Sequence, residues 1–128
     1  MHYLLKTEPS DYSITQLERD GHCTWDGVEN ALALKHLRAI RNGDTCFIYH
    51  TGKEKQIVGL AEATSDPYQV KDAWVIDLKF VQRYAQTLSL SEMKADKTFK
   101  NFDLLRLPRL SVMPVPDALA EAILNRVK

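Results

Sequence analysis

Between Asp44 and Tyr84 the chain is built of short β-forming runs cut by turn residues, and this pattern restricts its fold more than any other feature. Thr45-Cys46-Phe47-Ile48-Tyr49-His50, a loop over residues 51–55, and Gln56-Ile57-Val58-Gly59-Leu60-Ala61-Glu62 predict a β-hairpin. Ser65-Asp66-Pro67 restores loop chemistry. Residues 74–84 then predict the longest strand, a central one, with Trp74, Ile76, Leu78 and Phe80 on one face and Val75 and Val81 on the other.

Helix signals sit between and around these runs. Tyr3-Leu4-Leu5 opens a strand that Glu8-Pro9 ends, and Ser13-Ile14-Thr15-Gln16 has the form of a capping box for a short helix that Gly21 can close. Ala33, Leu37 and Ile40 recur at helical spacing within residues 30–41, before the stop signal Asn42-Gly43. Ser89-Leu90-Ser91-Glu92 is a second capping box, and Leu110-Ser111-Val112-Met113 reads as a strand stopped by Pro114 and Pro116. Leu119, Ile123 and Val127 give residues 117–127 one apolar helical stripe. Strands with helices inserted irregularly, rather than in strict alternation, predict an α+β fold: a small mixed β-barrel of five or six strands, with short inserted helices and a C-terminal helix. No repeat or linker divides residues 1–128, so they are expected to form a single domain. No G-x-G-x-x-G or G-x-x-x-x-G-K follows a strand, which argues against a dinucleotide or P-loop fold.

Composition narrows the function classes. No apolar run approaches the ~18 residues of a membrane helix, and Met1 to Lys6 lacks the pattern of a secretion signal, so a cytoplasmic protein without a membrane partner is expected. The 17 basic and 17 acidic residues cancel, leaving no bulk field to gather nucleic acid. Any such ligand must be held by a local site. Cys23 and Cys46 read as buried thiols rather than a disulfide. His22, Cys23, Cys46 and His50 resemble a metal set by type, but Cys46 and His50 lie roughly 13 Å apart along one strand, too far to share a zinc ion. Neither a metal nor a cofactor is expected.

Candidate chemistry clusters at strand ends: Lys6-Thr7-Glu8-Pro9, Tyr12-Ser13, Trp25-Asp26-Gly27-Val28, Asn30 and Tyr49-His50-Thr51. These residue types suit a slot for a planar ligand, with rings for its face and polar groups for its edge. Each has a plainer role open to it. Trp25 and Tyr49 can serve only to pack, Trp74 belongs to an apolar stripe, and Ser13 and Asn30 are natural helix caps. Lys35, Arg38, Arg41, Arg106 and Arg109 suit either a solvated face or contacts to phosphate. No G-x-S-x-G elbow or convincing cysteine nucleophile is present, so a non-enzyme is expected. The rival reading makes Asp26, Glu29 or His50 a general acid or base. A protein-interaction or small-metabolite module is a third.

Over nearly the whole chain these blocks resemble the EVE domain family of the PUA-like superfamily, related to the YTH and ASCH domains. The resemblance rests on Tyr3-Leu4-Leu5-Lys6-Thr7-Glu8-Pro9, Tyr12-Ser13, Trp25-Asp26-Gly27-Val28-Glu29-Asn30, Gly43-Asp44, Phe47-Ile48-Tyr49-His50, Val58-Gly59-Leu60-Ala61-Glu62 and residues 109–115. It implies a compact β-barrel with a pocket at its mouth that binds modified bases, such as methylated or hydroxymethylated cytosine, in DNA or RNA. Carried over by position, Trp25 would form a pocket wall, Lys6, Thr7 and Ser13 would approach the base edge, and Asn30 and Tyr49 would add contacts; Tyr12, Val28, His50 and Arg109 complete the expected ligand-binding set. A monomer and a nucleic-acid partner are expected. Glu29 stands where the family commonly has Arg, which removes a cation suited to phosphate.

Overall fold

The computed structural model describes residues 1–128. Seven strands form one mixed sheet, in the order β2-β6-β4-β3-β1-β7 with β5 attached to β6. They are β1 (His2–Thr7), β2 (His22–Trp25), β3 (Thr45–His50), β4 (Gln56–Ala63), β5 (Tyr68–Val70), β6 (Ala73–Ser89) and β7 (Val112–Val115). Five short helices accompany them: α1 (Ile14–Asp20), α2 (Ala31–Leu37), α3 (Leu90–Lys94), α4 (Asp103–Arg106) and α5 (Asp117–Leu124), with a 3-10 turn at Lys97–Phe99. The α+β class and the mixed sheet agree with the sequence reading. The sheet has seven strands where five or six were expected, and it is not closed, because β2 and β7 end the strand order without pairing to each other.

The topology follows from chain economy. β3 and β4 are joined by a short loop and pair antiparallel, while β1 pairs parallel to β3 and so needs the long crossover that α1, β2 and α2 supply. Register shifts at Ile48/Tyr49, Ile57/Gly59 and Leu60/Ala61 insert bulges, which bend β4 and curl the sheet. Both faces of the sheet are covered, since the adjacent pairs Leu4–Leu5 and Phe47–Ile48 point to opposite sides and all four are fully buried, as are Ile57, Ile76 and Leu78; each burial stabilises by about 1.5–3 kcal/mol before chain entropy is opposed to it.

Both capping boxes form as the sequence predicts, with Ser13 and Gln16 closing the start of α1 and Ser89 and Glu92 that of α3. Gly21, at φ +79°, ends α1 where a side chain would be strained. The second helix is shorter than residues 30–41. After Leu37 the amides of Ala39 and Ile40 bond back to His36 and Leu37, a tighter winding that still turns Ile40 into the core. β7 runs through Pro114 rather than stopping before it. As the last strand in the order it has one unpaired edge, the setting in which a residue without N–H is tolerated.

β6 is longer than residues 74–84 and pairs with β2, β4 and β5. Its far face is not uniformly covered, since Val75 is buried whereas Val81 is 45% exposed. Trp74 is half-buried at the core margin, with the Arg38 guanidinium 4.3 Å from its ring centroid. The short strands β2 and β5, in addition to those expected, come from runs too brief and too polar to show a period.

Candidate functional site

The open seam of the sheet holds the principal cavity, of about 530 Å³. One side comes from edge strand β2 and the turn after it, through Cys23, Thr24, Trp25, Asp26, Gly27 and Val28. The other comes from the end of β1 and its following loop, through Lys6, Thr7, Glu8, Asp11 and Tyr12, with Ser111 just before β7. β2 is paired only to β6, and β7 only to β1. β2 and β7 are thus both edge strands, and the cavity lies beside β2 and the residue that precedes β7.

Local bonding shapes the cavity. The Thr7 hydroxyl donates to the Tyr12 carbonyl at 2.8 Å, which folds the 8–12 loop back over the end of β1. The ring of Tyr12 meets that of Trp25 edge-on, at 6.5 Å between centroids and 78° between planes. Trp25 is 8% exposed, so most of the indole packs in the core while the remainder lines the cavity. Lys6 is half-buried; its Nζ donates to the Pro108 carbonyl at 2.9 Å and lies 5.7 Å from the centroid of the Tyr49 ring. Burial lowers its pKa from the ordinary 10.5.

The electrostatics are those of a polar slot with acidic walls. Asp11 and Asp26 are exposed, and neither side chain has an ion-pair or hydrogen-bond partner in the protein. The Glu8 carboxylate instead accepts from Ser10 and from the Thr51 hydroxyl, both at long range. Burial, then the neighbouring Cys23 and Asp20, hold the Tyr12 hydroxyl well above its usual range, and it donates to Asp20 at 3.1 Å. Cys23 is a free thiol at the cavity wall, pushed up to about 11 chiefly by burial. It is half-buried rather than hidden. Cys46, also free, is fully buried.

Of the ligand-binding residues expected from sequence, the cavity brings together Lys6, Thr7, Tyr12, Trp25 and Val28. Ser13 lies outside its lining and caps α1, accepting from the Gln16 amide. Asn30 caps α2 by accepting from Ala33, and Tyr49 is buried in β3 behind Lys6. His50 is buried with both ring nitrogens engaged, Nε2 by the Ile14 amide and Nδ1 by Glu54. Arg109 and Asn30 line a separate cleft of about 310 Å³, together with Leu32, Arg106, Leu107, Pro108 and Leu110. Asp11, Thr24 and Ser111 line the cavity without having been expected there, and Cys23, read from sequence only as a buried thiol, joins them, because only the fold carries these residues together.

Comparison with known proteins gives a consistent picture. A family model described as the EVE domain matches residues 1–126. Thymocyte nuclear protein 1 from Gallus gallus is 29% identical, over 97% of this chain and 67% of that protein, and the Homo sapiens protein is 28% identical over 97% and 72%. Among solved structures, a hypothetical protein from Leishmania major superposes with a TM-score of 0.92 at 32% identity, covering 97% of this chain and 92% of that one. Human THYN1 protein in complex with DNA containing 5-methylcytosine superposes with a TM-score of 0.89 at 26% identity, covering 97% and 95%. The ASCH protein of Zymomonas mobilis, at 11% identity and a TM-score of 0.65 over 99% and 96%, shares the fold alone. A seven-stranded open sheet with a pocket in its seam and a family match over nearly every residue lead to one conclusion: the chain belongs to the EVE domain family.

Proposed function

We propose that this chain is a non-catalytic reader that, as a monomer, takes one modified base of a nucleic acid into the seam cavity. The observation that carries the reading is the Trp25–Tyr12 corner standing beside the unpartnered carboxylates of Asp11 and Asp26. Support from relatives comes from the human THYN1 protein, whose structure contains 5-methylcytosine DNA. A volume of about 530 Å³ falls within the ordinary range for small-ligand pockets, room for a base and part of its sugar.

The chemistry assigns parts to the lining. The aromatic corner offers a face for the ring, and stacking contributes about 1–3 kcal/mol per base. Free carboxylates accept from an exocyclic amine, such as N4 of cytosine, and repel a base whose edge carries only acceptors at that point. Burying one methyl adds about 0.8 kcal/mol, only a several-fold preference over the plain base. Stronger discrimination must come from polar groups that the wrong base leaves unpaired. Extracting the base from a duplex costs a few kcal/mol, so single strands or weakened pairs are favoured ligands.

The test is fluorescence anisotropy with short oligonucleotides carrying one cytosine, 5-methylcytosine or 5-hydroxymethylcytosine, on the wild type, Asp26→Asn and Trp25→Phe. Asp26 is exposed and unpaired, so Asp26→Asn is expected to leave the fold intact, as checked by circular dichroism. The wild type is expected to prefer at least one modified strand, and Asp26→Asn to lose about tenfold, the worth of one charge-assisted hydrogen bond. Equal weak binding to every strand by all three proteins, or chemical conversion of a strand seen by mass spectrometry, overturns the reading.

A further inference from the structure

We infer that the cleft walled by Asn30, Leu32 and the Arg106–Leu110 segment holds the nucleotide next to the base in the seam cavity, with Arg109 and Arg106 on its phosphate. This inference rests on the base-reading proposal and adds to it a direction for the strand. Two observations join the cleft to the cavity. Both are lined from the same two segments, one running from Asp26 and Val28 to Asn30, the other from Arg106 and Arg109 to Ser111. Lys6, a cavity residue, grips the second segment twice: its Nζ donates to the Pro108 carbonyl and its amide to the Ser111 carbonyl, each at 2.9 Å. The wall between the two spaces is thereby pinned to β1.

Charge decides which way a strand can leave the cavity. Asp11 and Asp26 line it, and Glu29 stands exposed on the turn that follows β2, so a phosphate on that bank meets like charge. Across the cleft stand two guanidinium groups. Arg106 is held by Asp103 at 2.8 Å, which orients it and offsets part of its charge. Arg109 is exposed and has no ion-pair or hydrogen-bond partner in the protein, leaving all five of its donors for a phosphate.

The cleft also suits the rest of a nucleotide. Leu32 is 41% exposed there, and with Pro108 and Leu110 it offers an apolar floor for a sugar or a base face. Asn30 uses its Oδ1 on the Ala33 amide and keeps its side-chain N–H groups free to donate. Because the protein carries no net charge, such a local contact supplies the phosphate affinity that the overall field does not.

The experiment compares a single modified nucleoside with a single-stranded trinucleotide centred on the same base, by calorimetry across a salt series, using the wild type, Arg109→Ala, Arg109→Glu, Asp26→Asn and the control Lys94→Ala on α3. Circular dichroism and a melting curve check that each variant is folded. Expected for the trinucleotide is a several-fold to tenfold loss with Arg109→Ala, a larger loss with Arg109→Glu, and a salt slope smaller by about 0.7. Nucleoside affinity is expected to be unchanged by both Arg109 variants, and all affinities unchanged by Lys94→Ala. If Asp26→Asn weakens both ligands while Arg109→Ala leaves the trinucleotide affinity and slope unaltered, the cleft inference falls and base reading stands. Equal losses from Arg109→Ala and Lys94→Ala also overturn the inference, since they mark diffuse attraction. If neither ligand binds, both proposals fall together.

Discussion

The Nε2 atom of His50 accepts a hydrogen bond from the backbone N–H of Ile14 at 3.1 Å, so the end of β3 satisfies the first turn of α1. Because Nε2 accepts, the ring proton sits on Nδ1, where it is donated to Glu54 at 2.9 Å. A residue expected at the ligand is thus a tie between two elements of the scaffold. Its replacement by Ala leaves the Ile14 amide unpaired in the interior and opens a cavity. His50→Ala is expected to lose about 3 kcal/mol in urea denaturation, while the folded fraction keeps its oligonucleotide preference. A variant that remains fully stable but loses binding would show that His50 serves the ligand rather than the scaffold.

The same pair sets an acid limit. The hydrogen bond from His50 holds the Glu54 carboxyl below its ordinary 4.5, so folding is favoured by the ionised form. That contribution is present above about pH 4.5 and is lost as pH falls through the lower native value. Glu54→Gln is expected to flatten the stability curve below pH 4.5, measured by urea titrations at successive pH values. An unchanged acid limb would show that the pair contributes nothing there.

Cys23 reports on the cavity. Its thiol, at about 11, has little thiolate at pH 8, so alkylation by iodoacetamide is expected to run about a hundredfold slower than for a free thiol. Cys46, wholly buried, is expected to react only through unfolding. A bound base should slow Cys23 further, as followed by mass spectrometry. Rapid labelling of Cys23 at neutral pH would contradict the burial that raises its pKa.

Gly59 lies where β4 bends, and a Cβ there would collide with Ile14 Cδ1 and sit 2.8 Å from the Gln82 carbonyl oxygen. The side chain can turn aside, but the carbonyl belongs to the paired strand β6. Gly59→Ala is therefore expected to cost about 1–3 kcal/mol, as overpacking does. A melting temperature equal to that of the wild type would show that the sheet can shift.

Tyr84 buries a hydroxyl that has no hydrogen-bond partner, and burial pushes it up to about 12. Tyr84→Phe removes an unsatisfied group at little loss of volume, so stability at pH 7 is expected to hold or to rise by up to about 1 kcal/mol. The raised pKa predicts a loss of stability as pH climbs from 10 toward 12, a loss smaller in Tyr84→Phe. A destabilised variant would reveal a partner for the hydroxyl.

What the sequence determined by itself was local. The capping boxes at Ser13 and Ser89, the β3–β4 hairpin, the long β6 and the apolar stripe of α5 arise from neighbours a few residues apart, whose spacing carries the physics. Resemblance added the family and an expected ligand-binding set, of which Lys6, Thr7, Tyr12, Trp25 and Val28 line the cavity. Tertiary structure decided the rest. Whether the curled sheet closes depends on how β2 and β7, separated by most of the chain, meet across the curl, and no local pattern encodes that distance. The packing of these distant segments formed the cavity, brought Cys23 and Ser111 to it, set His50 against the first turn of α1 and placed Asn30 and Arg109 in a separate cleft. Residue type says what a side chain can do, but only the packing of distant segments says which partner it finds.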